Sequence, residues 1–297
     1  MTATLESIRP ASTTATATAT PAGMSHEEWQ ARCDLAALYR VVHHFGWTDI
    51  LATHMSVRIP GEPEHFLINH YEEMFHEITA SSLIKMNLAG EVIGKPGRFN
   101  SAGLTIHSGV YKARPDVHCV MHTHTRAGAG VSLLRNGLRP ISQDALLVYD
   151  DLVYHEYGMP ASRRECEALG ISCQRGNCVI LLNHGLLACG ASVPGTLARI
   201  YAMERACEIE LISRTLGEPP VAIDPEVIEG VARYMRSERP KADYGLQEWK
   251  ALLRLLDSPF YHPVIEEGLR TALRHLQRAL RMGPVPVERC LDCGPGA

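Results

Sequence analysis

The chain has 297 residues, of which 45% are hydrophobic and 21% are charged, and its formal net charge at pH 7 is −4. This apolar content supports a sizeable core and excludes disorder of the whole chain. The small negative charge argues against nucleic-acid binding. Because no run of about 18 apolar residues occurs, no membrane span is predicted. The N-terminus lacks a basic segment followed by an apolar stretch, so a secretory signal is not expected.

The nine cysteines are an odd number, and most of them lie inside apolar, periodic segments. This pattern is typical of reduced thiols rather than of a disulfide framework. We therefore expect a cytoplasmic protein.

Residues 1–23 are a low-complexity stretch rich in Thr and Ala, which predicts a disordered tail. Ser25 followed by Glu28 forms a capping pattern, and helical periodicity then continues to Gly46. The elements that follow are read in chain order from apolar periodicity and turn residues. Predicted strands lie at 54–59, 65–69, 83–87, 91–93, 117–122, 146–148, 153–154, 178–182 and 186–189, and predicted helices at 101–113, with Ser101 as its cap, 125–135 and 192–216.

Because strands and helices alternate while many strand pairs are hairpins, we expect an α/β fold with a mixed, mostly antiparallel sheet. The predicted domain occupies residues 24–217, and residues 218–297 form a helical C-terminal extension with helices at 225–237, 246–257 and 264–281. The last of these helices carries an arginine stripe, which is typical of a solvated or subunit-facing surface. Cys290 and Cys293 form a lone CxxC pair, which is too few ligands for a zinc site.

Two histidines, His122 and His124, follow the apolar strand that ends near Met121. In an extended chain, residues i and i+2 point to the same face, so both imidazoles can bind one metal ion. A third candidate, His184, stands between Asn183 and Gly185 at the end of another apolar strand. Three imidazoles would hold a catalytic metal and leave coordination positions open.

Several further motifs follow one another between about residues 29 and 216. They are Gly46-Trp47, His54-Met55-Ser56-Val57-Arg58, Glu64-His65-Phe66-Leu67-Ile68, Ile78-Thr79-Ala80-Ser81-Ser82-Leu83, Ile106-His107-Ser108, Ala113-Arg114-Pro115-Asp116-Val117, His122-Thr123-His124-Thr125 and Asn183-His184-Gly185-Leu186. Together and in this order, they resemble the class II aldolase/adducin family. Their sequences are most similar to those of the adducin head domain and its bacterial relatives.

The resemblance implies a three-layer α/β/α sandwich and a homotetramer with active sites between adjacent subunits. It also implies that His122, His124 and His184 bind a divalent metal ion, which is zinc in many of the family's sugar-phosphate aldolases. Three imidazoles suit zinc, iron, manganese or cobalt, so the metal stays open at this point.

The departures from the family pattern are as informative as the matches. The catalytic glutamate of the aldolases aligns with Gly103, and no carboxylate lies between 100 and 104. The phosphate-binding turn aligns near Tyr71 and Glu73, where two adjacent carboxylates would repel a phosphate dianion. One serine of a second phosphate-contacting pair is kept, Ser101, and a substrate-contacting asparagine aligns with His54. An ordinary phosphosugar aldolase is therefore not expected.

Other residues then have to supply the acid–base chemistry. His107 and Glu73 are the predicted catalytic residues, and His54, Ser101 and Tyr71 are the predicted substrate-binding residues. Further candidates, for which a structural role is favoured, are Glu72, Asp144, Tyr149, Tyr154 and His155.

The leading hypothesis is a metal-dependent lyase, of aldolase or decarboxylase type, that cleaves a C–C bond in a small hydroxy- or oxo-acid. One alternative is a non-heme Fe(II) oxygenase of the same fold that acts on an aromatic hydroxy acid. The other is a non-catalytic, adducin-like oligomeric binding protein. The short C-terminal part has no polybasic end, which argues against a cytoskeletal role.

Overall fold

The computed structural model describes residues 20–238 and 244–256. The predicted tail up to residue 19, the predicted helix at 264–281 and the CxxC pair lie outside the described residues. The described residues form eight strands: β1 (His54–Ile59), β2 (Glu62–Ile68), β3 (Ile84–Asn87), β4 (Val92–Ile93), β5 (Cys119–Thr123), β6 (Leu152–His155), β7 (Cys178–Leu181) and β8 (Gly185–Gly190).

The described α-helices cover the two faces of these strands. They are α1 (His26–His44), α2 (Ser101–Ala113), α3 (Arg126–Ser132), α4 (Gln143–Val148), α5 (Arg163–Cys173), α6 (Val193–Ser213), α7 (Pro225–Arg233) and α8 (Leu246–Leu256). A short 3-10 helix follows α4 at Tyr149–Asp151, and a π-helical turn follows α7 at Tyr234–Glu238.

The strands form one eight-stranded sheet in the order β4-β3-β2-β1-β5-β8-β7-β6. Every neighbouring pair is antiparallel except β6 and β7, which are parallel. The mixed, mostly antiparallel sheet that the sequence predicts is thus confirmed.

Alternation along the strands divides the core into two layers. Met55, Val57 and Met121 face the layer that contains α1 and α6, whereas Val120 and Leu187 face the layer that contains α2 and α5. Both layers are closed by buried helices, so the α/β/α sandwich is confirmed. Trp249 and Leu256 of α8 belong to the same core as α1 and α6. The domain boundary near residue 217 stays a prediction.

Helices α2 and α5 pack closely because glycines stand where they meet. A Cβ atom at Gly109 would lie 2.5 Å from the carbonyl oxygen of Cys166, and one at Gly170 would lie 2.8 Å from the carbonyl oxygen of Gly109. These distances exclude a side chain at either position without a shift of the backbone. The close packing fixes α5 against α2 at one end of the sheet.

Three sequence predictions need correction. Residues 146–148 belong to α4 instead of a strand, because Ser142 Oγ accepts a hydrogen bond from Ala145 N and starts a helix that buries Leu146 and Val148. Asn100 caps α2 in place of Ser101, since its Oδ1 accepts from Ala102 N at 2.9 Å. The helix expected to run from 125 to 135 already ends at Ser132.

Helix α5 was missing from the predicted elements, although Ser162 and Glu165 have the spacing of a capping pattern. All seven cysteines among the described residues are free thiols, as predicted. Within residues 20–238 and 244–256, no helix is both long enough and apolar enough to cross a bilayer.

Candidate metal centre

The three histidines singled out by the sequence converge at one end of the sheet. The Nε2 atoms of His122 and His124 lie 2.8 Å apart, and those of His124 and His184 lie 2.9 Å apart. All three residues offer a ring nitrogen within 4.8 Å of the others. Such convergence of neutral nitrogen donors is typical of a metal centre.

Local backbone geometry explains how distant segments meet here. Strand β5 pairs with β8, and His122 lies opposite Leu187. The turn between β7 and β8 requires a left-handed residue, Asn183, with φ of 60°. A Cβ atom at Gly185 would lie 2.4 Å from the carbonyl oxygen of Thr123, so only glycine lets the turn approach β5. In the Asn-His-Gly sequence, Asn183 and Gly185 thus meet the needs of the backbone, and His184 supplies the candidate ligand.

The hydrogen bonds of the ring nitrogens test whether these residues fit a metal ion. His122 Nδ1 donates to the carbonyl oxygen of Leu186 at 2.9 Å, and His124 Nδ1 donates to Asp49 Oδ2 at 3.0 Å. Both acceptors require the proton on Nδ1, which leaves the Nε2 lone pairs directed at the centre. The donor set thus fits a divalent cation, with Asp49 and a backbone carbonyl orienting two of the ligands.

Burial supports the same protonation state. It lowers the pKa of His122 well below the usual histidine value and lowers the pKa of His184 to about 4, with neighbouring imidazoles acting in the same direction. Neutral imidazoles at neutral pH keep their lone pairs available for a cation.

A fourth histidine, His54, stands next to the centre on β1. Its ring centroid lies 5.1 Å from that of His122. Its Nδ1 is 2.8 Å from His107 Nε2, and His107 Nδ1 is in turn 2.6 Å from Ser56 Oγ. Tyr111 Oη completes the chain at 2.8 Å from Ser56 Oγ. Burial lowers the pKa of His107 to about 3, so this chain is neutral at physiological pH.

Spacing along two elements explains this chain of polar groups. His54 and Ser56 share one face of β1, while His107 and Tyr111 lie four residues apart on α2. His107, the histidine of the Ile106-His107-Ser108 motif, therefore lies behind His54 as seen from the cavity. His107 is fully buried and is absent from the cavity wall.

Gly103 occupies the position at which the family resemblance implies a glutamate. A Cβ atom there would lie 3.0–3.2 Å from ring atoms of His54. The His54 imidazole therefore fills the space that a side chain at position 103 would enter.

The three histidines and His54 open onto a cavity of about 510 Å³. Tyr71, one of the predicted substrate-binding residues, lies in its wall together with Asn100 and Thr105. Asp49 and Glu165 are the carboxylates of this wall, and its described lining contains neither lysine nor arginine. The wall therefore offers no cationic side chain for a phosphate dianion.

Two predicted site residues lie away from the cavity. Glu73 accepts a hydrogen bond from Ser82 Oγ at 2.6 Å and does not line the cavity. Ser101 is exposed on the first turn of α2 and does not line it either. The catalytic role of Glu73 and the substrate-binding role of Ser101 stay predictions without support from this geometry.

The remaining candidates are placed elsewhere or behind the wall. Glu72 pairs with Arg98 on the surface, and Tyr154 Oη accepts from Leu138 N at 2.8 Å. Asp144 lies in the first turn of α4, and Tyr149 is exposed outside the cavity lining. His155 is buried and bonds to Glu165 at 2.9 Å, so it reaches the cavity through that carboxylate.

Sequence reasoning missed Asp49 and Glu165. No local pattern marks Asp49, which becomes significant only through its contact with His124 across the fold. Glu165 follows Ser162 at capping distance, so the sequence signal for it indicates a helix start instead of a cavity residue.

The chain is similar in sequence to a protein family and to several named proteins. The family model for the "Class II Aldolase and Adducin N-terminal domain" matches residues 33–211. A Pseudomonas aeruginosa protein named "Putative aldolase class 2 protein" is 43% identical over 242 residues, which are 80% of this chain and 92% of that protein. Mouse alpha-adducin is 38% identical over 263 residues, but the chain spans only 35% of its length.

A solved structure agrees with these matches. The L-fuculose 1-phosphate aldolase of Glaciozyma antarctica superposes with a TM-score of 0.70 at 27% identity, covering 82% of this chain and 96% of that one. The fold, the motif order and the extent of these matches lead to one conclusion: the chain belongs to the class II aldolase and adducin family.

Proposed function

We propose that this protein is a divalent-metal-dependent lyase that cleaves a C–C bond in a small hydroxy- or oxo-acid. The observation that carries the proposal is the convergence of His122, His124 and His184, with two Nδ1 protons committed to acceptors and the Nε2 atoms directed at one point. A divalent cation in such a site polarises a carbonyl as a Lewis acid. The aldolase name of the solved relative is consistent with that chemistry.

The composition of the cavity wall supports a substrate without a phosphate group. Its described lining holds Asp49 and Glu165 but no lysine or arginine. A dianionic phosphate would meet two carboxylates there and no compensating cationic side chain. A single carboxylate next to a hydroxyl or carbonyl oxygen needs less compensation, which a divalent cation supplies.

We also infer self-association, with the cavity mouth at or near the contact between copies. Ile50 lines the cavity and is 70% exposed, and Tyr157 and Met159 flank the lining residue Gly158 with 58% and 77% exposure. Large apolar side chains exposed together at a functional site are typical of an interaction surface. Sedimentation analysis of the untagged protein tests this inference, and a monomer at micromolar concentration would contradict it.

The central experiment is elemental analysis of untagged protein purified without oxygen, beside the His122→Ala/His124→Ala variant. We expect about one zinc or manganese ion per chain, lost in the variant, with His43→Ala as the control for loss of an exposed histidine. Iron at one per chain together with substrate-dependent oxygen uptake would replace the lyase by the oxygenase. No metal in either sample would overturn the catalytic proposal and leave a binding role.

A further inference from the structure

Glu165 brings a carboxylate into the cavity from the wall that α5 provides. It lies in the first turn of α5, and its side chain is 16% exposed. The connection to the metal centre runs through β6 and β7, because His155 pairs in register with Leu181, and His184 N donates to the carbonyl oxygen of Leu181. Glu165 and the metal-binding histidines therefore face the same space from neighbouring strand ends.

The helix start does not use this carboxylate. Ser162 Oγ accepts a hydrogen bond from Glu165 N at 3.1 Å, as in a capping box. The reciprocal bond from the glutamate side chain is absent among the described contacts, because Ser162 N donates to the carbonyl oxygen of Met159 at 3.2 Å. The Glu165 side chain is thus turned away from the cap.

A glycine makes room for the carboxylate where it lies. A Cβ atom at Gly158 would stand only 1.6 Å from Glu165 Oε2. Both residues line the cavity. The hydrogen bonds described for this side chain go to Oε1 alone, so Oε2 is the oxygen available to a ligand.

A chain of donors holds the other oxygen. Arg175 donates to Ser172 Oγ at 3.3 Å, and Ser172 Oγ lies 2.9 Å from His155 Nδ1. His155 Nε2 lies 2.9 Å from Glu165 Oε1, and a carboxylate oxygen there accepts the Nε2 proton. This arrangement fixes the orientation of the Glu165 carboxylate, as a base in a cavity requires.

Asp49 and His54, which also line the wall, have other partners. Asp49 is 49% exposed and accepts from His124, so it serves a metal-binding residue. His54 is an imidazole whose Nδ1 is paired with His107. Among the described lining residues, Glu165 is the carboxylate that has no contact with a metal-binding histidine.

We propose that Glu165 is the acid–base residue of this cavity and replaces the carboxylate missing at Gly103. This inference rests on the proposed function. Glu165 Oε2 takes a proton from the carbon next to the substrate carbonyl. The electron pair of that C–H bond becomes the C=C bond of an enolate, while the carbonyl π pair moves to oxygen. In the cleavage direction, Glu165 takes the proton of the substrate hydroxyl, the O–H electron pair forms the C=O of the departing carbonyl product, and the pair of the breaking C–C bond becomes the C=C of the enolate. The protonated Glu165 then gives this proton to the enolate carbon, and the carbonyl is restored.

The test uses pyruvate, the simplest 2-oxo acid with exchangeable C3 protons. Metal-loaded wild-type protein in D₂O is expected to exchange these protons, followed by NMR. Glu165→Gln should slow the exchange at least about 100-fold, since a positioned base contributes about 10²–10⁴-fold. Glu167→Gln is the matched control, because Glu167 lies on the same helix, is 64% exposed and pairs with Arg163. The control should leave the exchange rate unchanged.

A binding measurement separates the inference from the proposed function. Oxalate imitates the enolate and needs no turnover. Because Glu165→Gln removes a negative charge beside this anion, oxalate should bind about three- to tenfold more tightly to the metal-loaded variant, with metal content unchanged. Oxalate binding that Glu165→Gln leaves unaltered, or exchange that survives it, would overturn the inference alone. Absence of oxalate binding by the metal-loaded wild type would remove the proposed function and this inference with it.

Discussion

Two walls of the cavity beside the candidate metal centre share one arrangement, in which a buried histidine holds another side chain that lines the cavity. In the His54 wall, His107 holds an imidazole and is itself held by Ser56 and Tyr111. In the Glu165 wall, His155 holds a carboxylate. Ser172 is hydrogen-bonded to His155, and Arg175 is hydrogen-bonded to Ser172. The two walls differ in chemistry and burial, since the first ends in a fully buried imidazole while the second ends in a partly exposed carboxylate.

This difference indicates a division of labour. A sealed, neutral chain fixes a ring rigidly but does not easily accept a proton, because a buried imidazolium is costly. A carboxylate that borders the cavity can take a proton and return it. The two walls are joined by α2, which carries His107 on one side and contacts α5 through Gly109 on the other. Damage to either wall should therefore have a distinct signature.

The largest expected effect is on the His54 wall. His107→Leu leaves His54 Nδ1 without its buried partner and removes one of the two side-chain partners of Ser56 Oγ, the other being Tyr111. An unsatisfied buried polar group costs about 1–3 kcal/mol. We expect the free energy of unfolding of the chelator-treated protein to fall by about 3 kcal/mol in urea titrations. Thr105→Ala on the same helix is the control and should cost less than about 1 kcal/mol. A loss for His107→Leu no larger than that of the control would contradict the role of the chain.

The next effect belongs to the Glu165 wall. In Gly158→Ala, the new methyl group overlaps Glu165 Oε2 and must displace this flexible carboxylate. We expect pyruvate exchange to fall about tenfold, which corresponds to about 1.4 kcal/mol, with metal content unchanged. Gly230→Ala on α7 is the matched control, because its Cβ atom would meet nothing within 4 Å. Exchange at the wild-type rate in Gly158→Ala would show that the position of Oε2 is unimportant.

The ease with which the sequence predicts a feature follows from the range of the interaction behind it. His122 and His124 were predictable because strand alternation is local, and the Asn-His-Gly turn added His184 through the family resemblance. The three-layer α/β/α sandwich was implied by the same resemblance. Each histidine prediction depends on a few neighbouring residues, whose pattern can be seen in the sequence itself.

Contacts between distant segments were not predictable in this way. Asp49 acts on a residue 75 positions away, and Glu165 is brought to the cavity by the packing of α5 on α2. The local signal at Ser162 and Glu165 even indicates another use for the carboxylate, as a helix cap. Leu146 and Val148 misled the strand prediction because burial by α6 gives a short helix the same apolar composition as a strand.

The next expected effect is on the pH dependence of stability, which the buried histidines of the His54 wall and the candidate metal centre control. Burial holds the pKa of His107 at about 3, against an ordinary value of 6.5. As pH falls from about 6.5 toward 3, this histidine binds a proton in the unfolded chain but not in the folded chain. The free energy of unfolding therefore declines by up to about 1.4 kcal/mol per pH unit for each such histidine. His54, His122 and His184 act in the same direction.

Removing one of these groups should therefore flatten the pH dependence. In His107→Gln, the free energy of unfolding of chelator-treated protein should drop by about 1 kcal/mol less between pH 6 and pH 5 than in the wild type. Urea titrations at the two pH values measure this. Equal slopes in the variant and the wild type would mean that His107 is protonated in the folded state at pH 5.

The smallest effect is expected at the far end of the Glu165 wall. Ser172→Ala removes the hydrogen-bond partner of His155 Nδ1, and we expect a loss of about 1 kcal/mol in stability. Pyruvate exchange should fall about threefold through kcat, while KM stays constant, because Ser172 orients the base and does not touch the ligand. The ¹⁵N shifts of His155 should report a proton on Nε2 in the wild type and a mixture of both tautomers in the variant. Unchanged shifts combined with a threefold loss would show that Ser172 supports only the packing of α5, and the carboxylate would then owe its orientation to Gly158 alone.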